Sequence, residues 1–355
     1  EELGLLKMDF LGLRTLTVIN NAVKNVKKNY GISLDMQKID YNDQKVLDSL
    51  GTGRTDGVFQ LESGGMKGFM KELKPDIIAG ISLYRPGPMD FIPQYIRSKN
   101  RPDTIHYDCP QLEPILKATH GCIVYQEQVM QIVQSLAGFT LGRSDLLRRA
   151  MSKKKLNVME KERQAFVYGN EAEGVPGCIK NGIDEKIANK IYDEMIDFAQ
   201  YAFNKSHAAA YAYVTYQTAF LKYYYPVEYM AALMTSVIDK PTKVAEYIQV
   251  CRQMNIPILP PDINKGEYGF SVSGGSILYA LSAIKSVGRP VIEAIVAERK
   301  EHGEYLSVKN FIERNMEAVN KRAIENFIKA GALDCLEGNR HQKMVVFGQI
   351  VDDIS

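Results

Sequence analysis

Gly142-Arg143-Ser144-Asp145-Leu146-Leu147-Arg148-Arg149-Ala150-Met151-Ser152-Lys153-Lys154-Lys155 places six cations and one carboxylate on a helical segment and its exit. Arg148 and Arg149 leave the same turn at about 100° to each other, so two planar guanidinium forks can grip one ligand while Lys153, Lys154 and Lys155 add point charges beyond. A polyphosphate suits such a surface better than a carboxylate does. The competing reading is a solvated basic face, the usual meaning of a charge run.

The rest of the composition is that of an ordinary globular chain. The 355 residues are 45% hydrophobic and 24% charged, with no tryptophan and a net charge of +2. That length suggests two or three domains. With total charge near zero, any nucleic-acid function has to come from local clustering of Lys and Arg. Five scattered cysteines, at 109, 122, 178, 251 and 335, argue against a disulfide framework and for a reducing, cytoplasmic compartment. His106, Cys109, His120 and Cys122 could be drawn as a zinc site, but Cys109 precedes Pro110 and Cys122 sits in an apolar run, which favours a structural role. No apolar run is long enough to span a bilayer. The chain starts at Glu1-Glu2, which suggests an excised piece of something longer.

Outward from the basic stretch the sequence reads as mostly helical. Leu3 to Phe10 has the pattern of a buried strand interrupted by Asp9, a carboxylate that must be paired, at a strand edge, or on a metal. Leu16, Ile19, Val23 and Val26 predict an amphipathic helix ending at Gly31. Gly51 to Gly57 reads as a mobile turn that matches no phosphate-loop fingerprint. Arg85-Pro86-Gly87-Pro88-Met89 reads as a rigid turn with an arginine at its entrance. Two core-facing stripes follow, Val129/Ile132/Val133/Leu136 and Ile187/Ile191/Met195/Phe198, the second capped by Asp184. Asn204-Lys205-Ser206-His207 opens an Ala-rich helix stopped by Pro226, placing Lys, Ser and His beside helix N-terminal amides that attract phosphate. The plainer alternative is Ser206 as an N-cap with solvated neighbours. After the Pro260-Pro261 and 266–275 boundary, Ala280–Ile284, Lys285-Ser286-Val287-Gly288 and 291–300 read as helix, tight turn, helix. A second pair closes on Gly331. These two units resemble tandem helix-hairpin-helix modules, whose hairpin backbone amides grip a DNA phosphate without reading sequence; the plainer alternative is a generic helical pair.

Six segments in order carry a resemblance: Leu-Leu-Lys-Met-Asp-Phe-Leu-Gly-Leu-Arg-Thr-Leu-Thr, Gly-Val-Phe-Gln-Leu-Glu-Ser, Tyr-Arg-Pro-Gly-Pro-Met, Val-Tyr-Gln-Glu-Gln-Val-Met, Leu-Arg-Arg-Ala-Met-Ser-Lys-Lys-Lys and Phe-Asn-Lys-Ser-His-Ala-Ala-Ala-Tyr. Together they resemble the alpha, catalytic, subunit family of bacterial replicative DNA polymerase III. The resemblance implies a mainly α fold with minor β: the end of a palm (1–20), a multi-helix fingers domain (21–240), and tandem helix-hairpin-helix units opening a clamp-binding region (241–355). It implies that Asp9 is the third of three aspartates holding two Mg²⁺ ions. Lys7, Arg148, Arg149, Lys153, Lys205, Ser206 and His207 then meet the incoming nucleotide, and Arg54, Arg85, Lys154, Lys155, Lys285, Ser286 and Gly288 meet DNA. The implied partners are primer-template DNA, deoxynucleoside triphosphates, the sliding clamp and other replisome subunits, and no membrane.

The chain departs from that family in three places. No Asp-x-Asp pair occurs in it, so the two-metal site is incomplete and these residues alone should be inactive. Lys74-Pro75-Asp76-Ile77 is a few residues shorter than the family pattern, and Lys285-Ser286 stands where a hairpin glycine is common. The alternative from another class is a non-enzymatic DNA-binding module of tandem hairpins and a basic helix.

Overall fold

The computed structural model describes residues 12–74, 76–153, 155–199 and 201–354; Lys7, Asp9, Pro75 and Lys154 lie outside them. The fold is mainly helical with one small three-stranded sheet. The chain divides into two compact units. One comprises the chain up to Val46, Asp56–Phe59 and everything from Gln217 onward; the other comprises Leu47–Thr55 and Gln60–Tyr216.

In the first unit the Arg14–Tyr30 helix ends where expected, at Gly31, whose φ of 70° lets its N–H reach back to the Lys27 carbonyl at 2.9 Å. Its buried side is Val18, Ile19, Ala22 and Val26, packed on the Pro226–Ser236 helix, while Leu16 is 53% exposed. The expected stripe was therefore rotated, because Leu16 lies two residues, about 200° of helical rotation, from Val18. Asn25 and Asn29 sit on the packed side because they donate to Glu228, at 3.2 Å to its carbonyl and 2.8 Å to its carboxylate. The 51–57 turn is tied down at its end in this unit. Tyr229 donates to the Gly57 carbonyl at 2.5 Å, and a Cβ on Gly57 would stand 2.7 Å from Leu233.

The C-terminal part of this unit holds the sheet. Ile258–Leu259 pairs parallel with Ser276–Leu278, which pairs antiparallel with Ser271–Ser273. Gly274 and Gly275, both at positive φ, make the two-residue turn between the antiparallel strands. The first hairpin departs from expectation: Ala280–Ile284 is a single 3-10 turn, Leu281–Ala283, rather than an α-helix. The strand ends at Leu278 and the hairpin turn begins by Lys285, too few residues for two α-helical turns. The second pair is built of Val308–Asn315 and Lys321–Ala330, capped by Asn320 and stopped by Gly331 at φ 85°. Ile292, Ile295, Phe311, Ile324 and Phe327 form one core under both pairs. Buried Arg299 ties that core to the preceding loop by donating to the Ile263 and Gly266 carbonyls, each at 2.8 Å.

The second unit is a helical body whose core joins both predicted stripes. Val129, Ile132, Val133 and Leu136 of the Gln126–Ala137 helix meet Ile191 and Met195 of the Glu185–Ala199 helix around Phe166 and Tyr192. Burial of each such side chain contributes roughly 1.5–3 kcal/mol. Asp184 accepts from the Lys186 N–H at 2.8 Å, as its position predicted. Cys109 and Cys122 are buried, and burial pushes the Cys122 thiol up to about 11. Among the described residues no group of three or more His, Cys, Asp or Glu side chains is placed to hold a metal.

Candidate functional site

The site of interest forms in the second unit, where three segments distant in sequence meet. Residues 124–126 run alongside Phe203: the Phe203 N–H donates to the Val124 carbonyl at 3.1 Å and the Gln126 N–H donates to the Phe203 carbonyl at 3.0 Å. The buried side chain of Gln128 fixes this strand-like entry. Its amide oxygen accepts from the Val124 and Tyr125 N–H groups at 2.9 and 3.0 Å, and its nitrogen donates to Thr119 Oγ1 at 2.7 Å and the Ile115 carbonyl at 3.2 Å. The 126–137 helix therefore starts at a defined place.

From that start Gln126 and Glu127 reach in different directions. Gln126 Nε2 donates to the Ala202 carbonyl at 3.0 Å, while its Oε1 accepts from Arg148 Nη1 at 3.1 Å. Glu127 accepts from the Lys205 N–H at 3.0 and 3.1 Å and from Asn204 Nδ2 at 3.1 Å. Asn204 in turn accepts from the His207 N–H at 2.7 Å, so Asn204, not Ser206, caps the Lys205–Tyr224 helix. Ser206 is exposed in the first turn. The expected unpaired amides are thus partly satisfied by an acid of the chain itself, which favours the positive helix end as a phosphate would.

The basic helix Leu141–Ser152 carries an arrangement that two free guanidinium forks would not have. Asp145 Oδ1 accepts from Arg148 Nε and Nη2 at 2.9 and 2.8 Å, and its Oδ2 is ion-paired with Arg149 Nε at 2.8 Å. The hydrogen bond from Arg148, with Arg149 beside it, holds the Asp145 carboxyl below its ordinary value, so the cluster is intact at neutral pH and loosens only as acid titrates that group. The two arginines differ in exposure: the Arg148 side chain is 20% exposed and held from two sides, whereas that of Arg149 is 63% exposed and held only at Nε among the described residues. Arg143, counted with the cations of this stretch, belongs to the scaffold. It pairs with Glu162 at 2.7 Å and Glu173 at 2.5 Å and lies over the Phe139 ring. Lys153 and Lys155 are exposed at the helix exit.

Aromatic rings complete the neighbourhood. Arg85 lies over the Phe203 ring at 4.0 Å, Phe203 meets His207 edge-on at 5.5 Å, and the His207 and Tyr211 ring centroids are 4.3 Å apart. Lys205 Nζ stands 5.5 Å from the Tyr125 ring centroid. Arg85 is aimed by its turn: Gly87 has φ 98°, and a Cβ there would overlap the Tyr201 ring. The structure therefore sets Arg85 and His207 on the Phe203 ring and Lys205 by the Tyr125 ring, and joins Arg148 to the same chain entrance through Gln126 and Ala202; Arg149 meets Asp145. Arg54 is exposed on the turn after the Gln44–Gly51 helix. Lys285, Ser286 and Gly288 belong to the other unit, where all three are exposed. Ser286 adopts φ 64°, the left-handed conformation for which glycine is favoured, and Gly288 precedes the Arg289–His302 helix as its cap. Gln126, Glu127, Phe203 and Asp145 were all missed as positioning groups; of these only Asp145 carried a local signal, its spacing of three and four from the arginines.

Residues 15–174 match the bacterial DNA polymerase III alpha subunit finger domain, and residues 255–343 match the helix-hairpin-helix motif. Among curated relatives, DNA polymerase III subunit alpha of Thermus aquaticus is 49% identical over 344 residues, covering 94% of this chain and 28% of that protein. The Chlamydia muridarum subunit is 46% identical over 360 residues (100% and 28%), and the Bacillus subtilis subunit 44% over 345 residues (96% and 30%). The chain belongs to the bacterial DNA polymerase III alpha subunit family, and spans less than a third of the length of these relatives.

Proposed function

We propose that this chain is the fingers and hairpin part of a replicative DNA polymerase that adds deoxynucleotides to a primer 3′ end as the template directs. The observation that supports the reading is the junction just described, in which Gln126 bonds both Arg148 and the Ala202 carbonyl ahead of the Lys205–Tyr224 helix. In the reaction a primer 3′-hydroxyl attacks the α-phosphate and pyrophosphate leaves. Exposed Arg149 and Lys205 neutralise charge that grows on the leaving group, with His207 as a further hydrogen-bonding group, and preorganised cations aimed at developing charge stabilise the transition state. Arg148, Lys153 and Ser206 line the same approach. The domain limits at 20 and 240 are part of this proposal.

Two Mg²⁺ ions belong to the proposed parent enzyme, with Asp9 as one ligand and Lys7 beside the phosphates. Asp9 and Lys7 lie outside the described residues, and the described ones form no metal-holding group. The ions would supply activation of the attacking hydroxyl and charge neutralisation. Since the sequence contains no Asp-x-Asp pair, these 355 residues on their own are expected to incorporate no nucleotide. A longer polypeptide that adds an upstream Asp-x-Asp strand is expected to extend a primer with Mg²⁺. Activity in the short chain, or none in the long one, contradicts the reading.

The hairpins and the exit lysines make the DNA contacts of this proposal: Lys285, Ser286 and Gly288 on one unit, Arg54, Arg85, Lys154 and Lys155 on the other. The sliding clamp and other replisome subunits are its further partners. Among the described residues no helix is long and apolar enough to cross a membrane. Contacts to phosphates release counterions, so primer-template binding by the chain is expected to be indifferent to sequence and to weaken steeply with salt. Titrating labelled primer-template at several salt concentrations checks it; flat salt dependence would favour a protein-docking surface instead.

A further inference from the structure

Within the Tyr-Gln-Glu-Gln segment at 125–128, the Gln126 side chain is the group that bonds both Arg148 and the chain ahead of the Lys205–Tyr224 helix. We propose that Gln126 is a positioning residue whose carboxamide locks Arg148 to the chain entering the Lys205–Tyr224 helix, so that both clusters face one polyphosphate. This rests on the nucleotide-binding reading and names how that site is held in register.

The chemistry of the junction selects an amide. Arg148 can only donate, and the Ala202 carbonyl can only accept; a carboxamide offers an acceptor to one and a donor to the other. Its two hydrogen bonds, 3.1 Å to Arg148 Nη1 and 3.0 Å to Ala202, admit only one orientation of the group. A carboxylate would face the Ala202 carbonyl with a lone pair, and a cation would repel Arg148. Asp145 already grips the Nε and Nη2 edge of Arg148, so the Gln126 contact at Nη1 is what fixes the guanidinium against a second segment. The clusters it joins are 22 and 76 residues away from it in sequence. The backbone bond from Gln126 N–H to Phe203 does not depend on the side chain, so local folding is expected to survive its replacement.

The test uses full-length polymerase carrying this chain, in single-nucleotide incorporation with the correct deoxynucleoside triphosphate titrated. Gln126→Met keeps length and removes both polar contacts. It is expected to raise KM for the triphosphate roughly tenfold, the usual worth of a hydrogen bond to a charged group, with kcat and primer-template affinity changed much less. Arg148→Met is expected to raise KM as well, and the double variant to be no worse than Arg148→Met alone, since residues acting through one contact are not additive. Gln126→Glu keeps the acceptor for Arg148 but loses the bond to Ala202, and is expected to fall between wild type and Gln126→Met. If Arg148→Met raises KM while neither Gln126 variant does, or if the two effects multiply, the positioning role is overturned. If Arg148→Met leaves KM unchanged, the nucleotide reading of this helix fails and the proposal fails with it. Should Gln126→Met melt far below wild type, the Gln126→Glu result decides alone, an unchanged KM again overturning the role.

Discussion

Replacing Asp9 by Asn in the full-length polymerase is expected to lower Mg²⁺-dependent primer extension by at least about 10²-fold, the loss seen when even an outer-shell partner of a metal ligand is removed. Asparagine keeps the shape of the side chain and removes its charge, so folding should be preserved while the metal site loses a ligand that hard Mg²⁺ prefers. Leu5, Leu6, Met8, Phe10 and Leu11 surround Asp9 in sequence, and a carboxylate buried among such neighbours needs a partner of opposite charge, whereas one at a strand edge does not. Near-normal turnover with an unchanged melting temperature would make Asp9 a strand-edge residue with no part in the chemistry.

Arg149→Ala is expected to raise the triphosphate concentration needed for half-maximal incorporation by roughly 10- to 100-fold, as loss of charge-assisted hydrogen bonds does. Its effect on primer-template affinity should be small. Arg149 is chosen over its neighbour because its side chain is 63% exposed and, among the described residues, ion-paired only at Nε. Truncation leaves Asp145 still bonded to Arg148, so the helix keeps its internal partner. Lys161→Ala is the control. Lys161 is 68% exposed and 3.9 Å from Glu173, a solvated pair whose loss is worth about 0–1 kcal/mol. Equal effects from the two substitutions would restore the solvated-face reading of the 142–155 stretch.

Much of this was legible in the sequence because it was local. The two apolar stripes, the Asp184 cap, the Gly31 stop and the second hairpin all follow from periodicity and capping within a few residues. The register of the first helix was not, since what buries Val18 and exposes Leu16 is the Pro226–Ser236 helix, about 200 residues downstream. Likewise Ser206 lost the capping role to Asn204 and Glu127, the latter 78 residues before Lys205. Arg143 looked like part of a ligand surface, yet it serves Glu162 and Glu173, which only the packing of neighbouring helices brings close. The basic character of the 142–155 stretch was readable; which of its cations are already spent on carboxylates was readable only for the i, i+3 and i, i+4 pairs to Asp145. The shortened first hairpin reflects a strand, Ser276–Leu278, whose pairing is non-local and consumes residues that a helix would need.

The most direct test of a shared triphosphate site is the affinity of the correct deoxynucleoside triphosphate for polymerase bound to a dideoxy-terminated primer-template, where chemistry cannot proceed. Measured for wild type, Arg149→Ala and Lys205→Ala, the dissociation constant is expected to rise in both variants while the affinity for primer-template holds. An unchanged dissociation constant in both variants would contradict it.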